Sequence, residues 1–419
     1  MFYLLSFIFK DKEKAGLITS LSVFLFFSYG HFVNLLEGFC LVIWRFTFGP
    51  NRFLLLLSGL IFVLGVYFVV RARRGLRNLT NFLNVVAVSL VVISLIKIGG
   101  YELKTMITWH DRTTAEDAGT GLMDLKKPAM LPNIYYIILD GYAGAEILRD
   151  MYSYDNTEFM EFLRQKGFYV ADKSRSNYVQ SELSLASSLN FEYLNDLANR
   201  VGVESDNRKP LINMIKNNRV VHFLKQYGYV FVAFSSGYSG TEIRNADIYL
   251  TKGWILNEFQ NELVNTTPIP VLLDKLRINS IQHDLHRKKI LYGLDHLADT
   301  CKLETPIFVF IHIIAPHPPF VFGEHGEAIN RDIRFSLTDF PCRKGKNVDE
   351  RINNYRKEYK EQLIFINSKL EKMIDDIISY SHLPPVIILQ ADHGPNSMMI
   401  FNRKETRDRA FKERTSILN

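Results

Sequence analysis

The sequence predicts a chain in two parts: N-terminal transmembrane helices, then an α/β domain built on a mainly parallel sheet sandwiched by helices. Three observations predict this. Apolar residues gather into three uncharged runs within the first hundred positions. Beyond about residue 132, compact β-rich runs alternate with helical ones. Three of those β-rich runs end in aspartate or histidine, the polar residues that open α/β sheets present at the carboxyl ends of their strands.

Residues 53 to 70, FLLLLSGLIFVLGVYFVV, are uncharged and long enough to cross a hydrocarbon core as a helix. Residues 17–36 and 79–96 are similar in length and also lack formal charges, although Asn34, Asn81 and Asn84 make them less apolar. Buried helices of a soluble protein fit three such runs poorly. Arg71, Arg73, Arg74 and Arg77 separate the second and third spans, so that short loop is expected on the cytoplasmic side. Lys10, Lys12 and Lys14 lie two crossings away and fall on the same side, and the third span then exits away from the cytoplasm. The first nine residues, MFYLLSFIF, are apolar but too short to cross and lack the layout of a cleavable signal peptide. They read as the end of a further helix. The expected organisation is a transmembrane region over 1–98, a linker over 99–131 and a catalytic domain over 132–419, placed at the cell membrane with that domain outside the cytoplasm.

Charge and cysteine content narrow the function. A formal charge of +6, from 50 basic and 44 acidic residues, is too mild and too scattered for nucleic-acid binding. Cys40, Cys301 and Cys342 are too few for a disulfide scaffold or a thiolate zinc site; a Cys301–Cys342 bridge and unpaired thiols both stay open. The linker is polar, with Gly99-Gly100, Gly119, Gly121 and Pro128, and Pro132 just beyond it.

Within the α/β domain, 134–139, 229–234, 307–313 and 386–389 read as buried strands. Ile352, Tyr355, Tyr359, Leu363, Ile366, Leu370, Met373 and Ile377 recur at intervals of three and four, which makes a long helix between the last two. The first strand ends in Asp140, the third carries His312 with His317 just beyond, and the fourth runs into Asp392-His393. Any one of these residues suits a turn or a helix cap, and a histidine in an apolar strand suits a satisfied core position. Three coincident strand ends suit neither. Mixed carboxylate and imidazole donors fit a divalent cation of the zinc or manganese type, with calcium or magnesium as harder alternatives. Gly394-Pro395 supplies the turn that lets Asp392 and His393 face one ion.

IILDG at 137–141, SNYVQSELSLASSL at 176–189, HIIAPHPPF at 312–320 and LQADHGP at 389–395 resemble the ordered motifs of sulfatase-like proteins of the alkaline phosphatase superfamily. The resemblance covers about 132–419 and includes phosphoethanolamine transferases and lipoteichoic acid synthases. It implies an extracytoplasmic transferase or hydrolase acting on phosphoesters of lipid headgroups or envelope glycans. It makes Ser181 the candidate nucleophile, with Asp140, Asp392 and His393 holding one divalent metal together with Ser181. By the same resemblance His312 and His317 hold substrate oxygens or donate a proton to the leaving group. Ser181-Glu182-Leu183-Ser184-Leu185 lacks the proline and arginine of the formylglycine motif, which disfavours a sulfatase, and stands closer to the T-x-x-S segment of the transferases with Ser in place of Thr. Asp140-Gly141, where many members carry a second acidic residue, favours one metal over a pair. The plain alternatives are Ser181 as a helix N-cap, Ser184 as the nucleophile, and an inactive membrane-tethered binding module. The chain also stops at ERTSILN, soon after the DHG motif, where family members continue, so truncation is expected.

Overall fold

The computed structural model describes residues 1–36, 41–43, 46–72, 76–116, 130–202, 204–253, 258–275, 280–329, 335–337, 347–398 and 404–419. Arg73, Arg74, Cys40, Cys342 and linker positions 117–129 lie outside the described residues. The chain divides into two compact units. One is Met1–His110 with Glu258–Asn279, the other Asp111–Asn257 with Ser280–Asn419.

In the first unit, three helices among the described residues are long and apolar enough to cross a membrane. They are α1 (Lys12–Leu35), α2 (Pro50–Arg71) and α3 (Leu76–Glu116). The Asp11 carboxylate caps α1 by accepting from the Glu13 and Lys14 amides at 2.9 and 3.2 Å. Helices α1 and α2 run antiparallel: Tyr29 Oη donates to the Asn51 carbonyl at 2.9 Å, and Lys14 Nζ donates to the Val70 carbonyl, also at 2.9 Å. The basic ends of the pair, Lys14 and Arg71, therefore share one end. Helix α3 runs on through Glu116, so the expected linker starts as helix. Residues 99–116 contain no proline, and the Gly99-Gly100 pair costs only about 1 kcal/mol per residue relative to alanine.

The second unit is built on a five-stranded, wholly parallel sheet. In chain order come β1 (Ile134–Leu139), α4 (Ser181–Ser188), β2 (Val230–Phe234) and β3 (Ile248–Leu250). Then come α5 (Glu258–Asn265) and α6 (Ile269–Lys275), which fold with the first unit, and α7 (Ser280–His296). The chain continues with β4 (Ile307–Ile313), α8 (Val348–Tyr380), β5 (Val386–Gln390) and α9 (Lys404–Thr415). The sheet order is β3-β2-β4-β1-β5. Alternation sorts the side chains of the central strands. Tyr135, Ile137 and Leu139 of β1 and Ile307, Val309, Ile311 and Ile313 of β4 share a core with Tyr355, Tyr359, Leu363, Ile366 and Leu370 of α8. The opposite face carries Tyr136 against Phe310 and Phe231 stacked on Phe308, and His312 follows Phe310 on that side. The short strand β3 has no counterpart in the sequence reading, because three half-buried residues leave too short a pattern. Cys301 is a buried free thiol, its Sγ 3.0 Å from Tyr135 Oη.

His286, on α7, is buried and its Nε2 meets no hydrogen-bond partner among the described residues. Burial pushes this imidazole down to about 3, and the neighbouring His283, Lys289 and His317 add to the effect. The neutral form is thus the one the fold accepts. Its contribution to stability is complete above the unfolded value of about 6.5 and is lost as the pH falls toward 3. At pH 4 the loss amounts to about 3 kcal/mol. Melting temperatures measured from pH 7 to pH 4 should therefore fall, and should fall less in His286→Gln. Parallel curves would mean that His286 contributes nothing to acid sensitivity.

Candidate active site

The three strands that end in polar residues are neighbours, β4-β1-β5, so their side chains converge at one carboxyl edge. Asp140 follows Leu139 directly, its amide donating to the Ile313 carbonyl at 2.9 Å. His312 lies in β4 in register with Ile138, and Gln390 of β5 pairs with that same residue, which carries Asp392 and His393 just past the edge. Donor atoms of Asp140, His312 and Asp392 all lie within 4.8 Å of one another. His393 Nε2 is 3.6 Å from Asp140 Oδ1 and 3.6 Å from Asp392 Oδ2. His312 Nε2 is 3.5 Å from Asp140 Oδ2 and 3.7 Å from Asp392 Oδ2. All four side chains are buried.

Hydrogen bonds fix what these atoms offer. His393 Nδ1 lies 3.0 Å from the Gly394 carbonyl, an acceptor only, so Nδ1 carries the proton and Nε2 presents its lone pair. Thr241 Oγ1 donates its hydrogen to Ser236 Oγ at 2.9 Å, so His312 Nδ1 donates to Thr241 Oγ1 at 2.8 Å. The neutral His312 Nε2 then also faces inward as a lone pair. Asp392 Oδ1 accepts from the Gly141 and His393 amides at 3.2 and 2.9 Å, whereas Asp392 Oδ2, Asp140 Oδ1 and His312 Nε2 are buried without a hydrogen-bond partner among the described residues. Two lone-pair nitrogens aimed at two carboxylates, with three orphaned donor atoms, is a set that a divalent cation would satisfy, and the nitrogen–oxygen mixture suits zinc or manganese. Burial works to raise the Asp140 carboxyl. The neighbouring imidazoles of His317, His312 and His393 outweigh it and hold the group well below the usual carboxylate range. Burial likewise works against a charged His312, yet Asp140 and Asp392 raise it, so this imidazole competes with a cation for the same carboxylates.

Ser181 enters from α4. It is the first residue of that helix, Gln180 being the cap, so the N-cap reading does not hold. Its Oγ lies 3.2 Å from His393 Nε2. The hydroxyl thus sits beside the carboxylate–imidazole cluster at a helix N-terminus, where free amides favour negative charge. Among the described residues Ser184, one turn on, makes no such hydrogen bond to Asp140, Asp392, His312 or His393. His317 stands at the side of the cluster. Its amide donates to the Asp140 carbonyl at 2.9 Å, and its ring centroid is 6.2 Å from that of His393.

Sequence reasoning missed the residues that hold these groups in place. Gln362 of α8, fully buried, accepts from the Val321 amide at 2.8 Å and donates to the Pro316 and His317 carbonyls at 3.2 Å each, pinning the loop that carries His317. Tyr359 donates to the Gly141 carbonyl at 2.9 Å and accepts from the Ala143 amide at 3.0 Å. Arg414, at the end of α9, is buried. Its Nε donates to the Val179 carbonyl at 2.8 Å, its Nη1 to the Gly394 carbonyl at 3.0 Å, and its Nη2 to His393 Nε2 at 3.3 Å. One guanidinium therefore straps the segment before Ser181 to the turn after His393. That strap needs Gly394. A Cβ there would sit 2.0 Å from the Glu413 carbonyl oxygen, beside the 2.7 Å bond from the Gly394 amide to the Arg414 carbonyl. The only sequence signal for Arg414 is a basic residue beyond the last motif. Arg414→Lys keeps the charge but loses the fork, and should weaken metal affinity or turnover about 10- to 100-fold. Metal titration and turnover of the folded variant check this, and parent-like values in both would leave the strap without a role in the site.

No family model matches the sequence, and no curated protein matches it. Among solved structures, the chain is similar to the integral membrane protein lipooligosaccharide phosphoethanolamine transferase A (EptA) from Neisseria meningitidis. The identity is 12%, the alignment covers 94% of this chain and 72% of that one, and the TM-score is 0.41. It is similar to the C-terminal periplasmic domain of EptC from Escherichia coli in complex with Zn, at 12% identity over 70% of this chain and 73% of that one, with a TM-score of 0.40. It is also similar to the putative sulfatase yidJ from Bacteroides fragilis, at 13% identity over 71% and 69% of the two chains, with a TM-score of 0.39.

Proposed function

We propose that the chain is a membrane-anchored, metal-dependent transferase or hydrolase that acts outside the cytoplasm on phosphoesters of lipid headgroups or envelope glycans, with Ser181 as nucleophile. The observation that carries this reading is the 3.2 Å approach of Ser181 Oγ to His393 Nε2, within a buried cluster of two aspartates and two histidines with orphaned donor atoms. In this reading Asp140, Asp392, His312 and His393 hold the cation, and Ser181 borders it. His312, expected on the substrate side, joins the ligands because its Nε2 faces both carboxylates. Bound there, a divalent ion supplies Lewis-acid stabilisation of negative charge and lowers the proton affinity of a neighbouring hydroxyl. Ser181 Oγ gives up its proton to solvent water and forms a bond to phosphorus while the bond from phosphorus to the leaving oxygen breaks, and His317 delivers a proton to that oxygen and regains one from the water or acceptor hydroxyl that attacks next. Water or an acceptor hydroxyl then releases the phosphoryl group from Ser181. The three apolar helices keep the enzyme where such lipids are. Mass spectrometry of protein quenched during turnover on a phospholipid with an alcohol-linked headgroup should find the phosphoryl-type adduct on the peptide containing Ser181. An adduct on Ser184 would move the nucleophile. No adduct together with no turnover in the metal-loaded protein would favour the inactive binding module.

A further inference from the structure

The chain leaves the α/β unit after Asn257 and re-enters it at Ser280, and the intervening α5 and α6 fold with the apolar helices. The attachment is backbone to backbone. The Thr266 carbonyl, in the turn between α5 and α6, accepts from the Gly30 amide at 2.8 Å. A Cβ at Gly30 would lie 2.0 Å from the Asn265 carbonyl oxygen and 2.8 Å from Thr266 Cα, so α1 carries glycine where this turn presses on it. Thr267 is buried beside it, and its hydroxyl donates to the Val264 carbonyl at 2.6 Å, closing the end of α5. Gly30 sits at the end of the α1–α2 pair marked by Tyr29 and Asn51, opposite the end where Lys14 meets Val70. By the distribution of Lys and Arg, this is the end away from the cytoplasm.

The turn is anchored, yet the helices on either side of it turn large apolar side chains outward. Phe259 and Leu263, four residues apart on one face of α5, are 74% and 45% exposed, and Leu272 of α6 is 50% exposed. In water these would be an unexplained apolar patch. Beside the end of a membrane span they have an occupant, because the lipid that surrounds α1 is continuous with the face they present. Short helices with aromatic and aliphatic residues on one side and Glu262 and Asn265 nearby suit the boundary between headgroups and acyl chains. We infer that residues 258–275 are a membrane-interface element, with Phe259, Leu263 and Leu272 immersed in the outer boundary of the bilayer. The inference rests on α1 to α3 being membrane spans and not on the chemistry assigned to Ser181.

The test uses the full chain in vesicles, with Trp44, Trp109 and Trp254 replaced by Phe and a single tryptophan introduced by Phe259→Trp. Vesicles of phosphatidylcholine brominated near the glycerol end of the acyl chain should quench most of its emission, with weaker quenching by bromine near the chain methyl and little by aqueous iodide. Val63→Trp, midway along α2, is the control and should respond most to the deep bromine. Gly30→Leu, which drives a side chain into the Asn265 carbonyl, should lower shallow-lipid quenching at position 259 and raise iodide quenching. Strong iodide quenching at 259 without lipid quenching, or quenching by neither, would overturn the inference while the Val63 control still reports the spans. A control unquenched by lipid would overturn the span assignment, and the inference with it.

Discussion

Replacing Ser181 with alanine is expected to reduce turnover by several orders of magnitude at nearly unchanged substrate affinity, while the fold survives almost intact. Ser181 is the first residue of α4, not its cap, and alanine is at least as good a helix former there. The structural loss is one hydrogen bond to His393 Nε2, worth about 1 kcal/mol. Removing the nucleophile removes the covalent route altogether, so stability and turnover should part company. Ser181→Thr keeps a hydroxyl at the same atom and should retain measurable activity, although its added methyl must fit at a buried position. Turnover of folded Ser181→Ala within a few-fold of the parent would eliminate Ser181 as nucleophile.

The legible parts of this molecule are those in which one short pattern dictates one outcome. The three long apolar helices follow from uninterrupted apolar runs, and α8 from eight apolar residues at helical spacing. Strands β1 and β4 could be bounded to the residue because burial on both faces makes each a continuous apolar run. Asp140 and His312 were visible because they stand at the ends of such strands, and Asp392 and His393 because they follow an apolar run, although its strand β5 is not buried as expected: it forms the sheet edge, with Val386 and Ile388 exposed. What remained hidden depends on distant chain segments. Nothing near Arg414 announces that its guanidinium reaches Val179 and His393, and Gln362 reads as an ordinary polar residue on a long helix although it is fully buried against the His317 loop. The departure of residues 258–279 from the α/β unit was equally hidden, since α5 is only 8 residues long and its fit to Gly30 is made by backbone.

Changing Asp392 to asparagine should abolish tight metal binding without unfolding the apoprotein. The hydrogen bonds explain why so small a change is decisive. Asp392 Oδ1 accepts from two backbone amides, Gly141 and His393, and in asparagine only the carbonyl oxygen can do so. The amide nitrogen is thereby forced into the position of Oδ2, the orphaned atom that lies 3.7 Å from His312 Nε2 and 3.6 Å from His393 Nε2. A ligand oxygen becomes a pair of N–H donors aimed at two imidazole lone pairs. The apoprotein tolerates this well, because repulsion between the buried Asp140 and Asp392 carboxylates disappears and the inward-facing nitrogens gain donors. Added cation meets the opposite situation, with one charge lost and N–H groups where it would sit. For the parent, a metal at 100 times its dissociation constant should add about 2.7 kcal/mol to stability and raise the melting temperature. Asp392→Asn should melt at or above the metal-free parent and show no rise with zinc or manganese. Elemental analysis after dialysis measures the same loss directly. A variant that keeps full occupancy and the full metal-dependent rise would remove Asp392 from the ligand set and leave its two backbone hydrogen bonds as its role.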